Sequence, residues 1–162
     1  MSGARVASLL FLAAALQIST DSLVAQHISV SLGENRQEVL QPSAQLTLPI
    51  VVDMSQAVDL DIASLQVKVT WNASIVTYVS TAPGTFGSLT LNETDVATGT
   101  FLANLFNGAG TKESFRALLL TFSGTSAGAA AVQVEVTTAG NELGQSLLDK
   151  VTTRKHDVTV SN

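Results

Sequence analysis

Polar and apolar residues alternate with period two along much of the chain after position 26, the spacing of strands that bury one face. His27-Ile28-Ser29-Val30-Ser31-Leu32 is the first such run. Leu46, Leu48, Ile50 and Val52 share one face of a second, with Pro49 on the other. Proline has no N–H to give a ladder, so this strand is expected at a sheet edge, at a bulge or at a crossing between sheets. Leu65, Val67, Val69 and Trp71 form the inward set of a third strand, leaving Ser64, Gln66, Lys68 and Thr70 outward. Residues 75–80 read as a short β-branched strand, Ala82-Pro83-Gly84 as a turn and residues 33–43 as a polar, turn-like stretch. Strands are further predicted at 100–106, 116–122, 132–136 and 157–160, and nothing after Gln26 carries a helical period over a helix's length. The pattern predicts an all-β, antiparallel β-sandwich of about nine strands.

The first 25 residues do not share this pattern. One positive charge precedes an uncharged, mostly apolar run at 6–18, the length of a signal-peptide core. That run falls short of the roughly 20 apolar residues that a membrane-spanning helix needs. Leu23-Val24-Ala25 puts a small residue at the expected cleavage point. Residues 1–25 are therefore read as a signal peptide and residues 26–162 as a single domain, secreted to the extracellular space or the periplasm and free of the membrane once cleaved.

Composition removes several classes of function. The 162 residues are 46% hydrophobic and only 13% charged, with a net charge of −5. A nucleic-acid binder would show a basic face instead. With no cysteine there is no disulfide framework, thiolate metal site or cysteine nucleophile.

Three passages, taken in order, resemble the cohesin domains of cellulosomal scaffoldins and the related carbohydrate-binding sandwiches. They are Leu46-Thr47-Leu48-Pro49-Ile50-Val51-Val52, then Trp71-Asn72-Ala73-Ser74-Ile75-Val76, then Leu118-Leu119-Leu120-Thr121-Phe122 leading through Ser126-Ala127-Gly128 into the strand at 132–136. Together they span nearly all of residues 26–160. The resemblance implies a nine-stranded jelly roll with an extracellular, non-catalytic role. It also implies a dockerin partner, a small calcium-binding helical module, in a polysaccharide-degrading context. The implied docking face is one sheet that includes the outward side of the third strand and the strands at 100–106 and 116–122. The chain departs from the pattern at Ser64 and Gln66, where the best-known cohesins carry Asn and Asp, and at Ala73, which replaces a proline.

Neither histidine, His27 or His156, lies in a nucleophile motif, and there is no Gly-x-Ser-x-Gly elbow. Glu93 and Asp95 are a local pair rather than carboxylates facing each other across a cleft. No catalytic residues, cofactor or metal site are assigned, and the protein is not expected to be an enzyme. Asp53, Asp59, Asp61 and Asn141-Glu142 lie near inter-strand connections but lack the spacing of a calcium loop. Direct polysaccharide binding is the alternative function, and a structural cell-surface or periplasmic role comes third. Sugar platforms use exposed aromatic rings; here Trp71 falls on the inward face, and only Tyr78 is left open. Asn72-Ala73-Ser74 and Asn92-Glu93-Thr94 match the glycosylation sequon.

The strands at 100–106 and 116–122 are apolar on both faces. Phe101, Ala103 and Leu105 oppose Leu102 and Phe106 in the first, and Leu118, Leu120 and Phe122 oppose Ala117 and Leu119 in the second. Either residues 83–99 fold over them, or an apolar patch is exposed, and such patches mark interaction surfaces. Strand parity nominates Ser64, Gln66, Lys68 and Leu119 as one outward surface that engages a protein partner.

Overall fold

The computed structural model describes residues 26–33 and 37–161, so the expected signal peptide lies outside the described residues. Eleven strands are present among them: β1 (Ile28–Leu32), β2 (Glu38–Leu40), β3 (Gln45–Asp53), β4 (Ile62–Thr70), β5 (Val76–Pro83), β6 (Ser88–Asn92), β7 (Thr100–Thr111), β8 (Phe115–Gly124), β9 (Gly128–Gly140), β10 (Val151–Arg154) and β11 (His156–Val160). Two single-turn 3₁₀ helices, Val96–Thr98 and Leu148–Lys150, interrupt the connections. One sheet runs β10-β1-β3-β8-β5 and the other β2-β11-β9-β4-β7-β6. Neighbours are antiparallel except at β1–β10 and β2–β11.

The expected sandwich is present, with eleven strands rather than nine. The difference arises at short segments that no periodicity analysis resolves. The first and last runs of the chain each split and change sheets. β1 lies in one sheet and β2, inside the stretch expected to be a turn, lies in the other. The crossing between β10 and β11 takes a single residue, Lys155. β6 is the third addition, an edge strand within the segment 83–99. Gly33 ends β1 at φ +66°, and a Cβ there would lie 2.9 Å from His156 Nδ1 and 3.0 Å from Leu48 Cδ2. Glycine lets the backbone approach the buried His156 ring, which is 1% exposed.

Strand parity decides what fills the gap between the sheets. Leu48, Ile50 and Val52 of β3 and Leu118, Leu120 and Phe122 of β8 meet Leu65, Val67 and Val69 of β4, Phe101, Ala103 and Leu105 of β7, and Val132, Val134 and Val136 of β9 in one continuous core. Trp71 follows β4 into that core as expected, 7% exposed. Its ring meets Phe122 edge-on at 5.2 Å, and Tyr78 stacks on Phe101 at 5.7 Å. Pro49 resolves as the bulge case: β3 is an interior strand, and its register against β8 shifts between Ile50 and Val51. The same shift explains why neighbouring Ala117 and Leu118 are both buried. β5 runs on through Ala82 to Pro83, two residues into the expected turn.

Candidate partner-binding face

The outer face of the six-stranded sheet is built by register. Along it, Ser88 of β6 lies beside Phe106 of β7, which lies beside Ser64 of β4. The next row is Thr90, Asn104, Gln66 and Thr138 of β9, and the one after it Asn92, Leu102, Lys68 and Glu135. Three of the four residues nominated from sequence, Ser64, Gln66 and Lys68, therefore stand side by side facing outward.

Leu119 does not join them. It belongs to β8 in the opposite sheet, between Pro49 of β3 and Ala82 of β5. Parity tells whether a side chain points into or out of the sandwich, but not which of the two outer surfaces it reaches. The strand at 116–122 is for the same reason not part of this face; β6 and β9 flank it instead. Residues 83–99 do not fold over the sheet. Their central part extends it as β6, so Phe106 stays 58% exposed.

A shallow groove of about 290 Å³ opens on this surface, lined by Ser64, Gln66, Asn104, Phe106 and Thr138 with Leu65 and Leu105 beneath. Its polar floor is fixed in advance. The Gln66 amide donates to Asn104 Oδ1 at 2.5 Å and accepts from Thr137 Oγ1 at 2.6 Å. Both side chains are thereby held in one orientation, leaving N–H groups of Gln66 and Asn104 to reach a ligand. The side chain of Lys68 has Glu135 as its register neighbour, so the centre of the face carries no net charge. Sequence reasoning missed Asn104 and Thr137 as hydrogen-bond partners of Gln66. Asn104 was legible by parity between Leu102 and Phe106, whereas Thr137 is the extra residue of a bulge in the β4–β9 register between Gln66 and Val67.

The other chemistry-bearing residues serve the fold. Asp53 accepts from Ser55 N at 2.9 Å and Ser114 Oγ at 3.1 Å, and the Ser55 backbone bond above all holds its carboxyl below the usual range. Asp59 accepts from Gln26 and Asp61 from the Glu142 backbone, so each of these acids clasps a different loop. Among the described residues no three His, Cys, Asp or Glu side chains converge as a metal site. Tyr78 bridges Thr81 and the Glu93 carboxylate. Burial, then the bond to Glu93, pushes its hydroxyl up to about 12.

No protein-family profile matches the chain, and no curated protein matches it in sequence. Solved structures do match in shape, and the two-sheet architecture defines the class: the chain has the cohesin fold. A non-cellulosomal cohesin from Archaeoglobus fulgidus superposes with a TM-score of 0.67 at 12% identity, covering 84% of this chain and 92% of that one. A Coh-OlpA–Doc918 cohesin–dockerin complex from Clostridium thermocellum gives 0.66 at 9% identity, covering 84% and 100%. A type II cohesin from the cellulosome of Acetivibrio cellulolyticus gives 0.64 at 9%, covering 83% and 95%.

Proposed function

We propose that this protein is a secreted, non-catalytic binding module that recognises a dockerin-like protein through the outer face of β6, β7, β4 and β9. The observation that carries the reading is the groove itself. An exposed Phe106 stands beside an amide pair, Gln66 and Asn104, already locked by Thr137. An apolar anchor ringed by ordered polar groups is the composition of a protein-recognition surface. The likeness in fold to cohesins solved in complex with dockerins supports the same reading. Ser64, Gln66 and Lys68 are the contact residues retained from the sequence, joined by Asn104 and Phe106. The polysaccharide alternative has only the single ring of Phe106 to stack on, because Trp71 is spent on the core and Tyr78 packs against it.

The test is a calorimetric titration of the purified protein with type I and type II dockerins, beside sedimentation with insoluble cellulose, xylan and chitin. The expected result is one-to-one dockerin binding that Gln66→Ala and Phe106→Ser both weaken without moving the denaturation midpoint. Retention on a polysaccharide, with no dockerin bound, would overturn the reading.

A further inference from the structure

The two sheets have four edges, and an uncovered edge is a template for another strand unless something blocks it. β5 carries a register shift between Tyr78 and Ser80 and ends on Pro83. β10 is four residues long, carries Arg154 and lies between Lys150 and Lys155. β2 is three residues long and includes Glu38. β6, Ser88-Leu89-Thr90-Leu91-Asn92, has no charge, no proline and no shift in its register with β7. Its Leu91 points to the same side as the buried Ala103, yet is 37% exposed because no strand lies beyond it.

We propose that β6 pairs antiparallel with the β6 of a second copy of this chain, about a two-fold axis through Thr90, joining two six-stranded sheets into one. The sequence is self-complementary in this register. Leu91 of each copy meets Leu89 of the other on the inner side, covering the exposed leucine, and Ser88 meets Asn92 on the outer side. The charges select the direction. Glu93 and Asp95 follow β6 at one end, while the turn at 84–87 before it is uncharged. Antiparallel pairing sets each acidic end beside the other copy's uncharged turn, whereas parallel pairing would put acid against acid. The outer faces of the two copies become one continuous surface, so the dimer presents two grooves side by side. This inference does not depend on what the groove binds.

Five residues a side make a small interface, so a dissociation constant in the range of about 10 µM to 1 mM is expected. Sedimentation velocity across that range should show a reversible monomer–dimer equilibrium. Thr90→Lys and Thr90→Glu each put like charges directly opposite on the axis and should weaken dimerisation about tenfold or more. Both leave the monomer's circular dichroism and melting unchanged, because Thr90 is exposed. Mixing the two variants should restore a heterodimer, because opposite charges then meet across the axis. Amide exchange at residues 88–92 should slow as concentration rises. A wild type that stays monomeric throughout would overturn the proposal, as would a dimer indifferent to Thr90→Lys. Loss without recovery on mixing would overturn the register. Slowed exchange at β6 only on adding a dockerin would assign the edge to that partner and overturn self-pairing.

Discussion

Replacing Trp71 tests the packing of the whole sandwich, because this ring closes the end of the core where β4 runs out. Burying an aromatic of this size takes roughly 200 Å² out of water, which at about 25 cal/mol per Å² is worth close to 5 kcal/mol. Part of that gain is cancelled within the native state. No acceptor among the described residues reaches Trp71 Nε1, although the atom is buried, and an unmet buried donor costs about 1–3 kcal/mol. Trp71→Ala should therefore cost about 3 kcal/mol, the low end of the range for deleted buried aromatics. Trp71→Phe keeps a ring against Phe122 and drops the N–H, so it should cost less than about 1.5 kcal/mol. Urea unfolding followed by far-ultraviolet circular dichroism measures both variants on one scale. Trp71 is the chain's one tryptophan, so wild-type fluorescence reports this site alone. Its emission should be blue-shifted when folded and move to the red on unfolding. A phenylalanine variant as unstable as the alanine one would refute the unmet-donor argument, and native emission matching free indole in water would refute the burial itself.

Other consequences are simpler to check. Tyr78 is the one tyrosine, so tyrosinate absorbance should titrate near 12 in the folded protein, against roughly 10 when unfolded. The folded state holds that proton longer, so stability should be insensitive to this group below pH 10 and fall between 10 and 12, a slope that Tyr78→Phe removes. Leu119→Asp lies on the opposite sheet from the groove and should leave dockerin affinity within about twofold, whereas Phe106→Asp should weaken it about tenfold or more; the reverse order would move the site to β8. Mature protein recovered from the medium or periplasm should begin near Gln26 by intact mass, and a cytoplasmic full-length product would count against processing.

The interior strands were legible in the sequence because each is long enough to repeat its period, most of them with one wet and one dry face and β7 and β8 with apolar residues on both. Leu65, Val67, Val69 and Trp71 needed nothing but their spacing to be placed. β2, β6 and β10 were not legible, since three to five residues are too few to establish a period. Ser-Leu-Thr-Leu-Asn does alternate, but inside a stretch of turn residues it gave too short a period to stand out. The site divided along the same line. Outwardness was readable for Ser64, Gln66, Lys68 and Leu119, but the assignment of strands to sheets is a property of the topology, and that separated Leu119 from the rest. The bulges at Ile50/Val51 and Gln66/Val67 lie beyond parity altogether, since each resets the count on which parity depends.

The splitting of the first and last runs has a consequence in time as well as in space. β1 is flanked by β10, and β2 by β11, so each sheet contains a piece of the chain's beginning laid against a piece of its end. A ribosome delivers those pieces last to first-come partners that have been waiting through more than a hundred residues of synthesis. Until β11 is in place, β9 has only β4 beside it and β2 has no strand to pair with. Neither sheet can therefore be completed before β10 and β11 are in place, although β3, β8 and β5 in one and β9, β4, β7 and β6 in the other need nothing from them.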